Sequence, residues 1–228
     1  MSGKSKKTVS IVIPAKNEEG YIKQTIKGVS LYADEIIVVD GHSTDRTVEF
    51  ARSKGARIIY DNGKGKGAAL RLASRAAKGD ILVFIDADGS HDPKDIPKLI
   101  SPILENKADL VMGSRMRGGS DELHSSFSEF IRLMGSAIIT LTINFRFDQQ
   151  LTDYQNGFRA IRKGVMNKIK TTENIFTIEQ EMSIKCLKQG YRVAEVPTHE
   201  YRRVFGKSKI RVWKVAYRYV WCLIKNIL

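Results

Sequence analysis

A parallel, doubly wound α/β sheet with helices on both faces is the fold class that the sequence predicts, on three observations. Five short runs rich in Val and Ile recur through the first half of the chain. Segments with helical spacing separate them. Acidic, glycine and proline residues gather just after the apolar runs, at the strand ends where sheets of this kind bind ligands.

The elements follow in order. TVSIVIP (8–14), EIIVVD (35–40), ARIIY (56–60), DILVFID (80–86) and ADLVMG (108–113) are short and almost wholly apolar, as strands covered on both faces are. Between them, Tyr21 to Tyr32, Thr44 to Lys54, Gly67 to Ala77 and Pro93 to Asn106 carry helical spacing, the second opened by Thr44 or Asp45. The second half is less regular. A helix is expected from Phe127 to about Leu141, followed by a connection through NFRFDQQLTDYQNGFRAIRK (144–163). Thr177 and Gln180 form a capping-box pair that opens a helix running to Lys188, and Gly190 ends it. YRVAEVPTHEY (191–201) reads as a strand, RRVFGKSK (202–209) as a mobile basic loop, and the last residues, 210–228, as a long amphipathic helix.

With 228 residues the chain suffices for one full core, and no low-complexity tract or internal repeat divides it. The expected organisation is a loose tail (1–7), one globular unit (8–209) and the terminal helix (210–228). No apolar run approaches the roughly 20 residues that span a bilayer, and an apolar leader is absent, so the expected location is cytoplasmic. Cys186 and Cys222 lack any C-x-x-C spacing and read as reduced packing residues. The net charge is +13, and from Met182 onward eleven Lys or Arg stand against Glu195 and Glu200. That region must meet an acidic partner or solvate a surface; nucleic acid, anionic lipid and a phosphorylated substrate all fit the bare charge.

Chemistry points to the strand ends. Asp86 and Asp88 stand two apart where the fourth run gives out, so both side chains can leave one face as hard oxygen donors for Mg²⁺ or Mn²⁺. Asp92, before Pro93, is explained by a helix start alone, with Asp at the cap and Pro at N1. DNGKGKGAAL (61–70) lacks the Lys-Ser/Thr pair of a Walker loop. Its glycines suit a backbone passing close to a ligand, with Lys64 or Lys66 near phosphate; a plain flexible loop is the bland alternative. Asn17 and Glu18 after Pro14, and Asp40 before GHSTDRT, each read singly as helix or turn residues, yet with Asp86 and Asp88 they ring one crevice. His42, His91, His124 and His199 show no ligand spacing and receive no role.

Seven blocks in order, IVIPAKNEEGYI, IIVVDGHSTDRT, GKGAAL, ILVFIDADGSHDP, GSRMRGG, NGFRAIRK and RRVFGKSKI, resemble the family 2 glycosyltransferases over about residues 8–212. The resemblance is to the dolichyl-phosphate mannose synthase branch and its polyprenyl-phosphate relatives. It implies a GT-A fold, a nucleotide-sugar donor (GDP-mannose ahead of UDP-glucose), a divalent metal, and transfer with inversion to a lipid phosphate. Carried onto this chain, Pro14, Ala15, Asn17, Glu18 and Asp40 would hold the nucleoside. Asp86, Ala87 and Asp88 would hold ribose, diphosphate and metal. Arg115, Arg203, Ser208 and Lys209 would contact phosphate groups, with Asp88, Arg115 and Arg203 nearest the chemistry, and Arg132 would meet the acceptor phosphate. Two departures stand out: Gly41 where many relatives have a second Asp, which puts base selection in doubt, and Ser90 where a metal-assisting Gln is common.

Two rival readings remain at this stage. Transfer to a hydroxyl of a lipid or glycan would need a carboxylate base, which Glu179 or Glu181 would supply; both are also explained as first-turn carboxylates on a helix dipole. A basic nucleic-acid-binding module accounts for charge but not for the crevice aspartates, so no nucleic-acid partner is expected. The terminal helix, with Trp213, Val215, Ala216, Tyr219, Val220, Leu223 and Ile227 at helical spacing and Arg211, Lys214, Arg218 and Lys225 beside them, suits a membrane surface at the cytoplasmic face. Packing on the sheet or a partner subunit is the alternative, and a membrane-anchoring partner is a further expectation.

Overall fold

The computed structural model describes residues 7–121, 127–203 and 212–228. Residues 1–6 of the expected tail (1–7) and most of the basic loop, including Ser208 and Lys209, lie outside the described residues.

The chain runs β1 (Val9–Ala15), α1 (Ile22–Val29), β2 (Glu35–Asp40), α2 (Thr47–Ser53), β3 (Arg57–Tyr60), α3 (Lys66–Ala76), β4 (Ile81–Phe84), α4 (Ile96–Leu104) and β5 (Leu110–Ser114). It continues through α5 (Arg115–Gly118), α6 (Phe127–Phe147), β6 (Arg159–Arg162), α7 (Lys163–Lys168), α8 (Ile178–Lys188), β7 (Val193–Pro197) and α9 (Val212–Ile227). Seven strands form one sheet in the order β3-β2-β1-β4-β6-β5-β7. All neighbours are parallel except β6, which runs antiparallel to both β4 and β5. The sheet is therefore mixed where the sequence reading left only a connection.

Alternation along the strands divides the core in two. Ile11, Ile13, Val38 and Val83 point to one face, under α1, α2 and α4; Val12, Ile37, Leu82 and Phe84 point to the other, under α3, α6, α7 and α8. Each of these side chains is almost fully buried, which stabilises the fold by about 1.5–3 kcal/mol apiece before entropy is counted. Helix α1 joins this layer because Ile22, Thr25, Ile26 and Val29 recur at 3.6-residue spacing and bury a single stripe.

Three local expectations are corrected. The helix opened by Thr177 has no capping box: the Thr177 hydroxyl donates to Glu173 (2.6 Å) and the Gln180 amide donates to the Tyr219 carbonyl (3.1 Å). Helix α6 extends six residues past the expected end, to Phe147, because Ile143 and Phe147 continue its buried stripe. Strand β4 stops at Phe84, so Asp86 and Asp88 leave from the turn after the strand, not from the strand itself. The expected start before Pro93 does hold: Asp92 accepts from the Lys94 amide at 2.9 Å over a short 3₁₀ turn. Cys186 and Cys222 are buried free thiols, each pushed up to about 12 by burial.

Candidate active site

The strand order reverses between β1 and β4: β2 and β3 extend one way, and β4 lies on the other side of β1. At such a switch point the connections diverge and leave a crevice beyond the carboxyl ends. A cavity of about 320 Å³ sits there, lined by Pro14 and Ala15 at the end of β1, Glu18 beyond it, Val39 and Gly41 at the end of β2, and Asp86, Ala87 and Asp88 after β4. Lys66 of α3, Phe176 before α8, and Arg203 close its sides. A larger hollow of about 700 Å³ lies elsewhere, lined by Lys7, Val9, Leu31, Asp34, Leu104 and Arg162, and gathers no paired carboxylates.

Both expected metal-binding carboxylates carry a cation. Lys66 Nζ lies 2.7 Å from Asp86 Oδ1 and 3.0 Å from Glu179 Oε1. Arg203 Nη1 lies 2.9 Å from Asp88 Oδ2, while the Ser90 amide and hydroxyl donate to Asp88 Oδ1 at 3.1 and 2.7 Å. Ser90 thus orients Asp88. Burial alone would lower the Lys66 pKa, but Asp86 and Glu179 outweigh it and hold the ammonium protonated. Burial likewise opposes ionisation of Asp86, and Lys66 first, then His91 and Arg203, keep its carboxyl below the usual range. His91, stacked on Phe158 at 5.0 Å between centroids, has its pKa lowered by burial and its Nδ1 buried without a hydrogen-bond partner.

The local sequence builds this cluster through residues that the sequence reading passed over. A Cβ on Gly157 would stand 2.9 Å from Lys66 Nζ and 3.1 Å from Asp86 Oδ2, so glycine lets the pair sit here without a shift. Arg159 is fully buried and donates to the carbonyls of Asn156, Tyr154 and Glu179, the last at 2.7 Å, which fixes the first turn of α8 and directs Glu179 at Lys66. Glu179 Oε2 is buried without a partner. Glu181, by contrast, is spent: it accepts from the amides of Thr172 and Glu173 and pairs with Lys185 at 2.8 Å.

The remaining expected residues divide. Asn17, at φ 57°, braces the neighbouring loop by accepting from the Thr44 amide at 2.8 Å. Asp40 is buried, and both its oxygens accept from Ser43, so it shapes the crevice floor from behind. Arg115 lies outside the crevice lining. It grips Asp153 through Nε (2.6 Å) and Nη2 (2.9 Å) and reaches Glu200 at 3.4 Å, so its guanidinium is engaged in a structural pairing. Arg132 is half-buried on α6, also outside the lining, with Nη2 buried and unbonded. The glycines of GKGKG also have a packing role: Cβ atoms on Gly65 and Gly67 would strike the carbonyl oxygens of Asn174 and Glu173. They serve backbone packing first, although Gly63 and Gly65 do border the cavity.

A seven-stranded, mostly parallel sheet with a carboxylate-bearing crevice at its switch point is the GT-A arrangement, and the same fold recurs in solved enzymes. Glucosyl-3-phosphoglycerate synthase from Mycobacterium tuberculosis, in complex with Mn²⁺, UDP-glucose and phosphoglyceric acid, superposes with a TM-score of 0.79 at 24% identity, covering 97% of this chain and 80% of that one. These features define the GT-A fold. Residues 10–170 match glycosyl transferase family 2, and the chain belongs to that family. Among its relatives, glycosyltransferase AglJ of Haloferax volcanii is 32% identical over 88% of this chain and 65% of its own length. The dolichol-phosphate mannosyltransferase of Pyrococcus furiosus is 32% identical over 89% of this chain and 59% of its own. The dolichyl-phosphate hexose transferase of H. volcanii is 29% identical over 89% and 86%. The chain thus spans between half and two thirds of several of its curated relatives, 54% in the case of the hexosyltransferase Agl6 of H. volcanii.

Proposed function

We propose that this chain transfers a hexose from a nucleotide sugar, GDP-mannose ahead of UDP-glucose, to a polyprenyl phosphate, with inversion. Two relatives are named for dolichyl phosphate acceptors. The observation that carries the choice of acceptor is the state of the two glutamates: Glu181 is consumed by backbone amides and Lys185, and Glu179 is neutralised by Lys66. A hydroxyl nucleophile needs a base to take its proton; a phosphate monoester, with a second pKa of about 6, is already largely ionised near neutrality.

The residues divide the work by charge. Pro14, Ala15 and Glu18 bound the part of the crevice suited to the nucleoside, with Asn17 and Asp40 holding its loops in place. Asp86 and Asp88 offer two hard oxygens, and among the described residues no third His, Cys, Asp or Glu completes a cluster around them. That donor set fits Mg²⁺ or Mn²⁺, which keep water and substrate phosphate oxygens in their remaining positions. A divalent cation bound there would neutralise charge growing on the diphosphate as the glycosidic bond breaks. Lys66, paired with Asp86, and Arg203, paired with Asp88, would position the donor phosphates and stabilise the departing group, and Ser208 and Lys209 follow Arg203 in the same basic segment of the sequence. An acidic pair inside a basic protein is explained by this division. The attacking oxygen would approach from the side away from the leaving diphosphate, and Arg132, on α6 outside the crevice lining, is the residue proposed to hold the acceptor phosphate. The acceptor lipid brings the protein to a membrane surface, taken as the cytoplasmic face, with or without an anchoring partner.

The test offers a short polyprenyl phosphate and the matching polyprenol with the same donor and Mn²⁺. Product from the phosphate alone is expected. Product from the alcohol alone would establish the hydroxyl-acceptor reaction in its place.

A further inference from the structure

The polar residues expected to hold the nucleoside are committed elsewhere. Asp40, at the end of β2, is buried, and both its oxygens accept from Ser43. Gly41, next in the chain, has no side chain to offer. Asn17 is turned to the Thr44 amide at 2.8 Å. The neighbouring strand supplies what these do not. Asp61, directly after β3, lines the same cavity as Pro14, Ala15 and Gly41, and its amide donates to the Asp40 carbonyl at 3.0 Å, which ties it to the end of β2.

We propose that Asp61 is the residue that selects the base of the nucleotide donor, and that it selects guanine. That a nucleotide donor binds here rests on the proposed reaction; the choice of base is argued from Asp61 itself. The carboxylate is held in place. Its side chain is only 8% exposed, and Oδ1 accepts from the Gly63 amide at 2.8 Å. His42 Nε2 lies 3.0 Å from the Asp61 carbonyl oxygen and 3.5 Å from Oδ1. An imidazole nitrogen that faces a carbonyl oxygen carries its proton, so His42 donates and fixes the residue from a second direction. The His42 ring stacks in turn on Tyr60, 6.4 Å between centroids. Among the described residues no hydrogen bond reaches Oδ2, which leaves that oxygen for a ligand.

Position and chemistry agree. Strands β2 and β1 separate β3 from β4 in the sheet, so Asp61 stands across the crevice from Asp86 and Asp88. Three strand spacings are about 14 Å, room for a ribose and a purine ring between the diphosphate and Asp61. An ionised carboxylate accepts hydrogen bonds and cannot donate them. Guanine alone among the common bases presents two adjacent donors, N1–H and the N2 amino group, side by side as the two oxygens of a carboxylate are; Oδ1 keeps a lone pair beyond the one given to Gly63. Uracil presents its single N–H between two carbonyl oxygens, which would stand against the carboxylate charge. Adenine and cytosine set an unprotonated ring nitrogen beside the amino group, with the same penalty.

The experiment titrates the full chain and Asp61→Asn, with Mn²⁺ present, by calorimetry against GDP, UDP and inosine diphosphate, which differs from GDP only in lacking the N2 amino group. The parent is expected to bind GDP about tenfold or more tightly than either of the others, since a hydrogen bond to a charged group is lost in each. In Asp61→Asn, checked by circular dichroism, that preference is expected to collapse. The ranking in the parent decides the matter even where the variant does not fold. A parent that binds UDP as tightly as GDP, or does not distinguish GDP from inosine diphosphate, overturns the assignment; sugar transfer from a uridine donor would then leave the reaction standing. A variant that weakens all three nucleotides alike, with their ranking kept, also overturns it, because Asp61 would then only brace its loop. A guanine preference that depends on Asp61, with no transfer from GDP-mannose to a polyprenyl phosphate, supports the assignment and sinks the reaction.

Discussion

Two buried clusters near the ends of β4 and β5 use the same ingredients, one cation between two carboxylates, to different ends. In the first, Arg115 meets Asp153 with both edges of its planar fork and also touches Glu200, and Asp153 accepts the Arg115 and Gln155 amides as well. Burial alone would raise the Asp153 pKa, but Arg115 outweighs it and holds the carboxyl below the usual range. In the second, Lys66 is a point charge between Asp86 and Glu179; the Asp86 side chain remains 29% exposed to the crevice, and Glu179 keeps an unbonded oxygen. A bidentate fork on a carboxylate with both oxygens bonded resists rearrangement, whereas an ammonium on a flexible stem can exchange partners when phosphates arrive. Burial of an ion pair does not distinguish structure from function here. The number of bonds left open does.

The largest expected effect lies at the open cluster's neighbour. Asp88→Ala is expected to abolish Mn²⁺-dependent binding of nucleotide sugar in a calorimetric titration while the circular dichroism spectrum stays unchanged, because Asp88 sits in a turn beyond the sheet core. Unaltered Mn²⁺-dependent binding would remove the metal from this account. Next comes the closed cluster. Arg115→Ala leaves Asp153 buried and unpaired and is expected to cost about 3–5 kcal/mol in denaturant unfolding, with the Kd for nucleotide sugar kept at temperatures where the variant is folded. The Asp153 contribution is present above the ordinary carboxylate pKa and is lost as pH falls through the lowered one. The gap between parent and variant is therefore expected to narrow only below about pH 4. A variant of full stability with weakened donor binding would reverse the assignment of the two clusters.

How much of this was legible in the sequence follows from distance along the chain. The five parallel strands and their helices were, because each strand is a short run of consecutive apolar residues, buried on both faces in all but the edge strand β3. Strand β6 was not: RAIR is four residues long and opens on an arginine, and a fully buried Arg159 held by backbone carbonyls is invisible to a rule that places charge outside. Asp86 and Asp88 were legible from their place after an apolar run. The pairing of Lys66 with Glu179 was not, since it depends on α8 approaching α3 across more than a hundred residues of sequence. The glycine of QNGF was the available signal: a glycine in a polar connection that is not needed for a positive φ marks a close approach by something else.

Lys66→Met sharpens the comparison from the side of the open cluster. If Lys66 occupies Asp86 until phosphates draw it away, the variant is expected to bind Mn²⁺ alone more tightly than the parent, yet to turn over about 10²- to 10³-fold more slowly for want of a cation on the leaving diphosphate. Weaker binding of Mn²⁺ alone would mean that Lys66 helps to assemble the metal site instead of competing for it. Gly157→Ala tests the same exchange more gently. The added methyl meets the tip of Lys66, a flexible end that yields, so the expected change is a rise in KM for the donor with little loss of kcat.

The smallest expected effect is at Glu179, and it separates the acceptor classes. Its carboxylate is the one glutamate of the two that faces the crevice cluster, and its free oxygen is where a base would have to be. A general base contributes about 10²- to 10⁴-fold; a carboxylate that only balances Lys66 contributes through the position of that lysine. With a lipid phosphate as nucleophile, the attacking oxygen carries its charge before it binds, and Glu179→Gln is expected to slow turnover by about tenfold or less. The amide still accepts a hydrogen bond from Lys66, so the cluster keeps its shape while losing one charge. The pH profile adds an independent reading, because loss of a base removes the acidic limb of kcat, whereas loss of a counter-charge leaves the limb set by the acceptor's second ionisation near pH 6. A fall of a hundredfold or more with the acidic limb abolished would make Glu179 the base and the acceptor a hydroxyl.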